Sequence, residues 1–534
     1  MARFKYADSS QGLFMTVNLK EQLQPDTFEW AVDQLVEMID LSIFEQNYNN
    51  DEKGADAYPP SVLLKVILFC YSRGQISSRE IERACKENVV VKALAKDMEP
   101  DHSTIAAFIS SNGEAVKRIF VQVLLQCAEL GLINGEIFGL DGCKQSSNAS
   151  KEWSGKVAEL KKKREKLGKY IERVIQQHKK LDQDKKAQKI QKKYKKTLED
   201  AEERRKKSVK KLKKKFRWLT NKLENLEPRK GVSGGEVKSN LTDPQSSLIK
   251  TGEGYVQGYN GVTVADAANQ IIICAKAIGS GPESGSFPEM LDMLNENMKL
   301  VTKKEEPLKA SLVLADTGLF TEKNLQEAAE RNIEVLIPDQ QFRQRDPYFA
   351  DKKNEKVKKQ PKKYTHEDFE YDKKKDEYIC PCGESLKYIG IGELRNNTGR
   401  KYQAKKGSCA NCPDREKCIT EKKSKKPSKN PVRTLYIAEQ KYEENLSEKM
   451  REKIDDPVYR ELYTRRMQII EPVFANITHC KGMDHFTLRG EEKVNLQWNL
   501  YCIVHNIGKC IKSLSEKYAS KVGIKGKGKA KKAA

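Results

Sequence analysis

Three carboxylates stand out by the residues around them. Asp141 ends the apolar run Ile137-Phe138-Gly139-Leu140 in EIFGLDGCKQSSNAS, and Asp316 ends Leu312-Val313-Leu314-Ala315 in SLVLADTG. Both read as an apolar strand followed by Asp and then Gly, where a glycine lets the backbone turn away and leaves the carboxylate at the sheet edge. Glu471 lies in a helical stretch, YTRRMQIIEPVFANI. An isolated Asp after a strand is more often a turn or cap residue, so the repetition carries the weight. Three acidic side chains from separate elements can hold two divalent ions about 3.5–4 Å apart, one activating a water or 3′-hydroxyl and one steadying the leaving oxygen of a phosphodiester. Hard oxygen ligands select Mg2+ or Mn2+ over zinc.

A second set is sulfur. CPCG at 380–383 precedes CANCPDREKC at 409–418. The C-x2-C spacing of Cys409 and Cys412 lets two thiolates reach one tetrahedral zinc, and Cys380 and Cys418 could complete it, with Cys382 a fifth candidate. The alternative is reduced cysteines that only pack. His479, His485 and His505 read as core or DNA-facing residues rather than ligands.

The elements that must position these residues follow from periodicity. Residues 26–130 show apolar spacings of three and four, predicting an all-helical N-terminal region in which Ser103 or Thr104 caps a short helix after a tight turn. Residues 137–141 read as a strand. YNGVTVAD and QIIICAKAI are two more strands, FPEMLDMLNENMKL a helix, and SLVLADTG, TEKNLQEAAERN and IEVLIP a β-α-β unit. The predicted class is α+β to α/β, with a mixed sheet flanked by helices whose carboxylates gather at one edge. Pro472 disfavours the α conformation at Glu471, so a helix is expected to start, end or kink there. On a straight helix Arg466 would stand about 140° around from Glu471.

Residues 156–227 are Lys- and Arg-rich with one Gly and no Pro, and carry most of the excess positive charge. Leucines and aromatics at helical spacings predict a basic helical hairpin or coiled coil turning near 181–186, either a phosphate-tracking arm or a solvated helix pair. The whole chain, 534 residues at net charge +23, points to a polyanionic partner, nucleic acid before an acidic membrane surface. At about 150 residues per domain the length suggests two to four units. No apolar stretch reaches the roughly 20 residues a membrane helix needs, and the N-terminus has no apolar signal region. With thirteen scattered cysteines, a soluble intracellular protein in a reducing compartment is expected.

The blocks FGLDG, LVLADTG and YTRRMQIIEPVFANI resemble the three acidic signatures of bacterial insertion-sequence transposases with an RNase H-like DDE core. More narrowly, they resemble the insertion-sequence-four superfamily in its eleven-eighty-two branch. YPPSVLLKVILFCYSRGQISSREIERACKEN and PDHSTIAAF are similar to that branch's helical N-terminal domain, and GYN at 258–260 and HFTLRGEEKVN to further blocks of its core. The resemblance implies that Asp141, Asp316 and Glu471 are the catalytic acids, binding two Mg2+ or Mn2+ ions. It implies that Tyr463 and Arg466 contact DNA beside them. Four residues separate Arg466 from Glu471 where the common pattern has three, and the lysine usual a turn or two later is Thr478, with Lys481 nearby.

The resemblance further implies double-stranded DNA partners, the element's terminal inverted repeats and a target, a homodimer to hold two ends, and a bacterial cytoplasmic, nucleoid-associated location without membrane contact. The organisation expected is a helical DNA-binding domain at 1–132, then an RNase H-like core at 133–150 and 231–345. A basic helical insertion at 151–230 interrupts it, and a Lys- and Cys-rich insertion follows at 346–440. A helical part at 441–515 carries Glu471, and 516–534 form a basic disordered tail. Two other readings remain open at this point: a catalytically silent, domesticated DNA-binding scaffold, and a plain metal-dependent nuclease.

Overall fold

The computed structural model describes residues 18–46, 48, 56–183, 195–231, 234–252, 254–279, 283–346, 364–366, 368–394, 397–419, 432–438 and 445–522. The chain divides into two compact units, Met1–Arg229 with Val237–Ile337 and Arg460–Ala534, and Lys230–Glu236 with Pro338–Tyr459.

In the larger unit the first helices are α1 (Phe28–Glu37), α2 (Pro60–Ser72), α3 (Ser78–Glu87), α4 (His102–Ser111) and α5 (Gly113–Glu129). Helix α2 is buried almost all round, and its one lysine, Lys65, is paired with Asp33 at 2.6 Å and with Glu37 at 2.5 Å. Burial of that ammonium is tolerated because two carboxylates meet it. Helix α4 is capped by Asp101, whose side chain accepts from the backbone N–H groups of Ser103 and Thr104, so the cap falls before the Ser and Thr that the sequence suggested. An aspartate at that position satisfies two of the free N–H groups of the first turn.

The central sheet comprises β1 (Ile137–Ser146), β2 (Ser247–Thr251), β3 (Gly254–Asp266), β4 (Ile272–Ile278), β5 (Leu312–Ala315) and β6 (Glu334–Leu336). Its order is β3-β1-β5-β6, with β2 and β4 both pairing the far side of β3. β1 runs antiparallel to β3, in register Asp141↔Thr263, and parallel to β5, which is parallel to β6. The sheet is therefore mixed, and helix α9 (Glu322–Glu330) makes the crossover between the parallel pair β5 and β6.

β1 does not end at Asp141. It continues through Gly142 and Cys143 to Ser146, paired with β3 throughout. Gly142 serves packing rather than a turn: a Cβ there would stand 2.5 Å from the side chain of Asn260, which lies across it.

Helix α8 (Phe287–Thr302) packs on β4, and α11 (Glu491–Val522) packs along α1, α2, α5 and β4. Trp498 of α11 is fully buried against Gly261, where a Cβ would lie 2.7 Å from the indole. Between β1 and β2 the chain runs out into α6 (Val157–Gln183) and α7 (Lys195–Glu224). The two pack antiparallel through Leu160 with Leu219 and Leu223, and through Gly168 with Phe216. The turn expected near 181–186 lies partly outside the described residues.

Helix α10 (Pro457–Ala475) carries Glu471 and passes through Pro472 without a break. Proline leaves the carbonyl four residues earlier without its helical partner. That carbonyl, of Gln468, instead accepts from the side-chain amide of Gln270 at 3.0 Å. Gln270 is itself held by His505 Nε2 on its carbonyl at 2.8 Å and by Lys509 Nζ on its Oε1 at 2.7 Å. The expected interruption at Glu471 is thus compensated from the β3–β4 turn, and the wider π-helical turn Asn476–Cys480 follows.

The second unit holds a five-stranded antiparallel meander: β7 (Glu370–Asp372), β8 (Glu377–Ile379), β9 (Ser385–Leu394), β10 (Asn397–Ala404) and β11 (Thr434–Ala438). Its core is small, made of Phe369, Leu386, Tyr402, Ala404 and Leu435.

Candidate active site

Asp141 and Asp316 meet at one cation. Asp141 lies in the middle strand β1, and Asp316 follows directly on its parallel neighbour β5, where it accepts from the backbone N–H of Gly318 at 3.4 Å. Parallel pairing carries both carboxylates to the same end of the sheet. Arg466 of α10 reaches them: Nη1 donates to Asp141 Oδ2 at 2.6 Å, and Nη2 to Asp316 Oδ1 at 3.4 Å. Asp141 Oδ1 also accepts from the Gly142 N–H at 2.8 Å.

The approach of α10 to β1 depends on a missing side chain. A Cβ on Gly139 would stand 3.0 Å from Ile469 Cγ2, so glycine lets the helix sit directly on the strand. Arg466, Ile469, Ile470, Val473 and Phe474 form the buried face of α10, while Glu471 is exposed. Because the helix stays regular, the rotation about its axis holds, and Arg466 rather than Glu471 is the side chain of this helix that bonds the two aspartates.

Burial pushes the Asp141 carboxyl above the ordinary carboxylate range; Arg466 and the Gly142 N–H pull it back, and the neighbouring charge of Asp316 adds to the rise. Tyr463 is raised by burial, opposed by Arg466, whose guanidinium lies 5.9 Å from its ring centroid. Cys143 points to the same side of β1 as Asp141. Its thiol is pushed up to about 11, first by burial, then by the charges of Asp141 and Glu471. Thr263, directly opposite Asp141 on β3, is buried, and its hydroxyl has no hydrogen-bond partner among the described residues.

Lys481 has different company: its ammonium lies 5.2 Å from the ring centroid of Phe28, and Thr478 donates its hydroxyl to the Phe474 carbonyl. Of the histidines, His505 is buried with both ring nitrogens engaged, by Asn476 and Gln270, while His485 contacts Asp484. The spacing of Arg466 and Tyr463 was legible, but nothing local showed that the arginine would sit between the aspartates. Sequence reasoning gave Cys143 no role of its own and did not single out Thr263; the i+2 position of Cys143 on a strand was the available signal for its facing the same side as Asp141.

In the second unit all five cysteines, 380, 382, 409, 412 and 418, line one cavity. Cys412 and Cys382 stand 3.6 Å apart at sulfur, and Cys380 Sγ accepts from the Glu384 N–H at 3.2 Å. Cys380, Cys409 and Cys418 pack against the small core. Among the described residues, no three His, Cys, Asp or Glu side chains converge closely enough to hold a metal ion as they stand.

Comparison with known families gives two matches. Residues 379–511 match the family described as a transposase DDE domain, and residues 17–111 match one described as a transposase domain (DUF772). The first match spans Glu471, Tyr463, Arg466 and Lys481 as well as the cysteines; the second spans α1 to α4. None of the curated proteins searched matches the chain. The segments that match a transposase DDE domain and a second transposase domain together support a DDE transposase. Among the described residues no helix is long and apolar enough to cross a membrane.

Proposed function

We propose that the protein is a bacterial insertion-sequence transposase of the insertion-sequence-four superfamily, eleven-eighty-two branch, which cleaves DNA at its element's ends and joins those ends to a target. The observation that carries this is the convergence of Asp141 and Asp316 on Arg466, from a helix that also bears Glu471. The strand order β3-β1-β5-β6, antiparallel then parallel, supports an RNase H-like core.

Asp141, Asp316 and Glu471 would hold divalent Mg2+ or Mn2+. The donor set suits such ions: hard carboxylate oxygens, two of them already sharing one positive charge. When bound, two such ions supply an activated water or 3′-hydroxyl and stabilise the leaving oxygen of the scissile phosphodiester. The residues of the chain act around that chemistry. Arg466 neutralises the pair of aspartates and can turn to a DNA phosphate, with Tyr463 stacked beside it. Lys481 gives a further cation near α1. The basic pair α6 and α7 gives salt-sensitive backbone contacts, and the N-terminal helices read the terminal repeats.

The domain boundaries go with this reading: 1–132 for DNA binding, 133–150 with 231–345 and 441–515 for the core, 151–230 and 346–440 as insertions, and 516–534 as a tail. A dimer holds two ends together, and the protein works at the bacterial nucleoid. Incubating the protein with Mg2+, terminal-repeat DNA and a target plasmid tests it. Cleavage at the repeat ends followed by joined product is expected. Cleavage without joining would reduce the activity to a nuclease, and neither would leave a DNA-binding scaffold.

A further inference from the structure

We propose that Cys380, Cys409, Cys412 and Cys418 bind one structural zinc ion that pins the second unit together. The inference does not rest on the transposase reading. All four cysteines line the same cavity, one from the turn after β8 and three from the segment after β10. Cys380 opens the tight turn after β8, closed by Cys380 N–H to Glu384 O at 2.9 Å and Gly383 N–H to Cys380 O at 2.8 Å. Gly383 takes φ +83°, which glycine adopts without strain. The same turn aims the Glu384 N–H at Cys380 Sγ, the kind of outer hydrogen bond that orients a metal-bound thiolate. Cys409 and Cys412 sit on the loop after β10, and Cys418 ends the helical turn Arg415–Cys418.

The spacing of the sulfurs suits the ion. Tetrahedral Zn–S bonds of about 2.3 Å place neighbouring sulfurs about 3.8 Å apart. Cys412 already holds one neighbouring thiol, that of the rim residue Cys382 from the other loop, at 3.6 Å, so a thiol at zinc-like separation is accommodated beside it. Cys382 is exposed and faces Asp414, whereas Cys380, Cys409 and Cys418 are half-buried against the core. That division assigns Cys382 to the rim and the other three, with Cys412, to the ion. The four thiols do not converge on one point as they stand, so binding requires them to rotate into the cavity, with release of the thiol protons. Arg433, whose Nη1 donates to the Cys418 carbonyl at 2.7 Å, adds positive charge beside the thiolates. Among the described residues the fully buried cluster of this unit is small, and small units commonly rely on a metal where apolar burial is short.

The test is metal analysis of the full-length protein, purified in reductant without chelator, followed by replacement with Co2+. One zinc per chain is expected, and the cobalt form should show thiolate charge-transfer bands of a four-thiolate tetrahedral site. Cys409→Ser and Cys412→Ser should lose the zinc and Cys382→Ser should keep it. If those variants fail to fold, the intensity of the wild-type cobalt bands still counts the thiolates. A zinc-selective chelator should speed hydrogen exchange in β8 to β10 and leave β1 and β5 unchanged. Protein without zinc and without a cobalt thiolate spectrum would overturn the proposal, and zinc lost from Cys382→Ser but kept in Cys409→Ser would overturn the ligand set.

Discussion

Arg466→Ala removes the only side chain seen bonding both aspartates among the described residues, and its effect can be worked from the contacts. The Arg466 and Asp141 side chains are 11% and 16% exposed and 2.6 Å apart, so the pair is largely out of water. Breaking such a pair from one side costs about 3–5 kcal/mol, because the partner charge stays buried alone. The second contact, 3.4 Å to an Asp316 that is 42% exposed, is screened and adds at most about 1 kcal/mol. All four tryptophans, Trp30, Trp153, Trp218 and Trp498, lie in the larger unit, so urea unfolding followed by tryptophan fluorescence reports on that unit. The cycle Arg466→Ala, Asp141→Asn and the double variant should give a coupling energy of about 2–4 kcal/mol, with the double variant more stable than Arg466→Ala alone. A coupling below about 0.5 kcal/mol would show that the guanidinium does not bridge this site in solution.

Other outcomes follow from the same packing. Burial lowers the pKa of His505 from 6.5 to about 4, the Gln270 carbonyl opposing it. A depressed histidine contributes stability that is complete above the unfolded pKa and is lost as pH falls from about 6.5 through about 4, on the order of 3 kcal/mol in all. Acid titration of unfolding should show that loss for the wild type, and His505→Gln should flatten it. Gly258→Ala sets a methyl within clash distance of the Gln145 backbone carbonyl on β1 and is expected to lower stability by about 1–3 kcal/mol, read from the same urea curves. Deleting 156–227 should weaken binding to terminal-repeat DNA and flatten its dependence on salt; an unchanged slope would remove α6 and α7 from the interface.

Much of the layout was legible because it is written locally. The apolar runs before Asp141 and Asp316 are strands, the amphipathic stretches are helices, and the cysteine spacings gather on one cavity. What sequence reasoning missed depends on partners distant in the chain. Gly142 reads as a turn residue until Asn260 is seen lying over it, and Gly139 as another small residue until Ile469 packs on it. Pro472 reads as a helix break because the Gln270 amide that takes up the stranded Gln468 carbonyl is 198 residues away. Asp101 was overlooked as the cap of α4 because Ser103 and Thr104 have equal intrinsic preference, and only backbone geometry decides among them.

The central claim is that Asp141, Asp316 and Glu471 together make the catalytic site. The most direct measurement is Mn2+-dependent cleavage of terminal-repeat DNA by Asp141→Asn, Asp316→Asn and Glu471→Gln, each assayed well below its own unfolding midpoint and checked for unchanged DNA affinity. Each variant is expected to lose at least about a thousandfold in cleavage rate if, as proposed, each removes a ligand of the ions that carry the chemistry. A Glu471→Gln protein that cleaves at the wild-type rate would contradict the assignment and leave α10 contributing only Arg466.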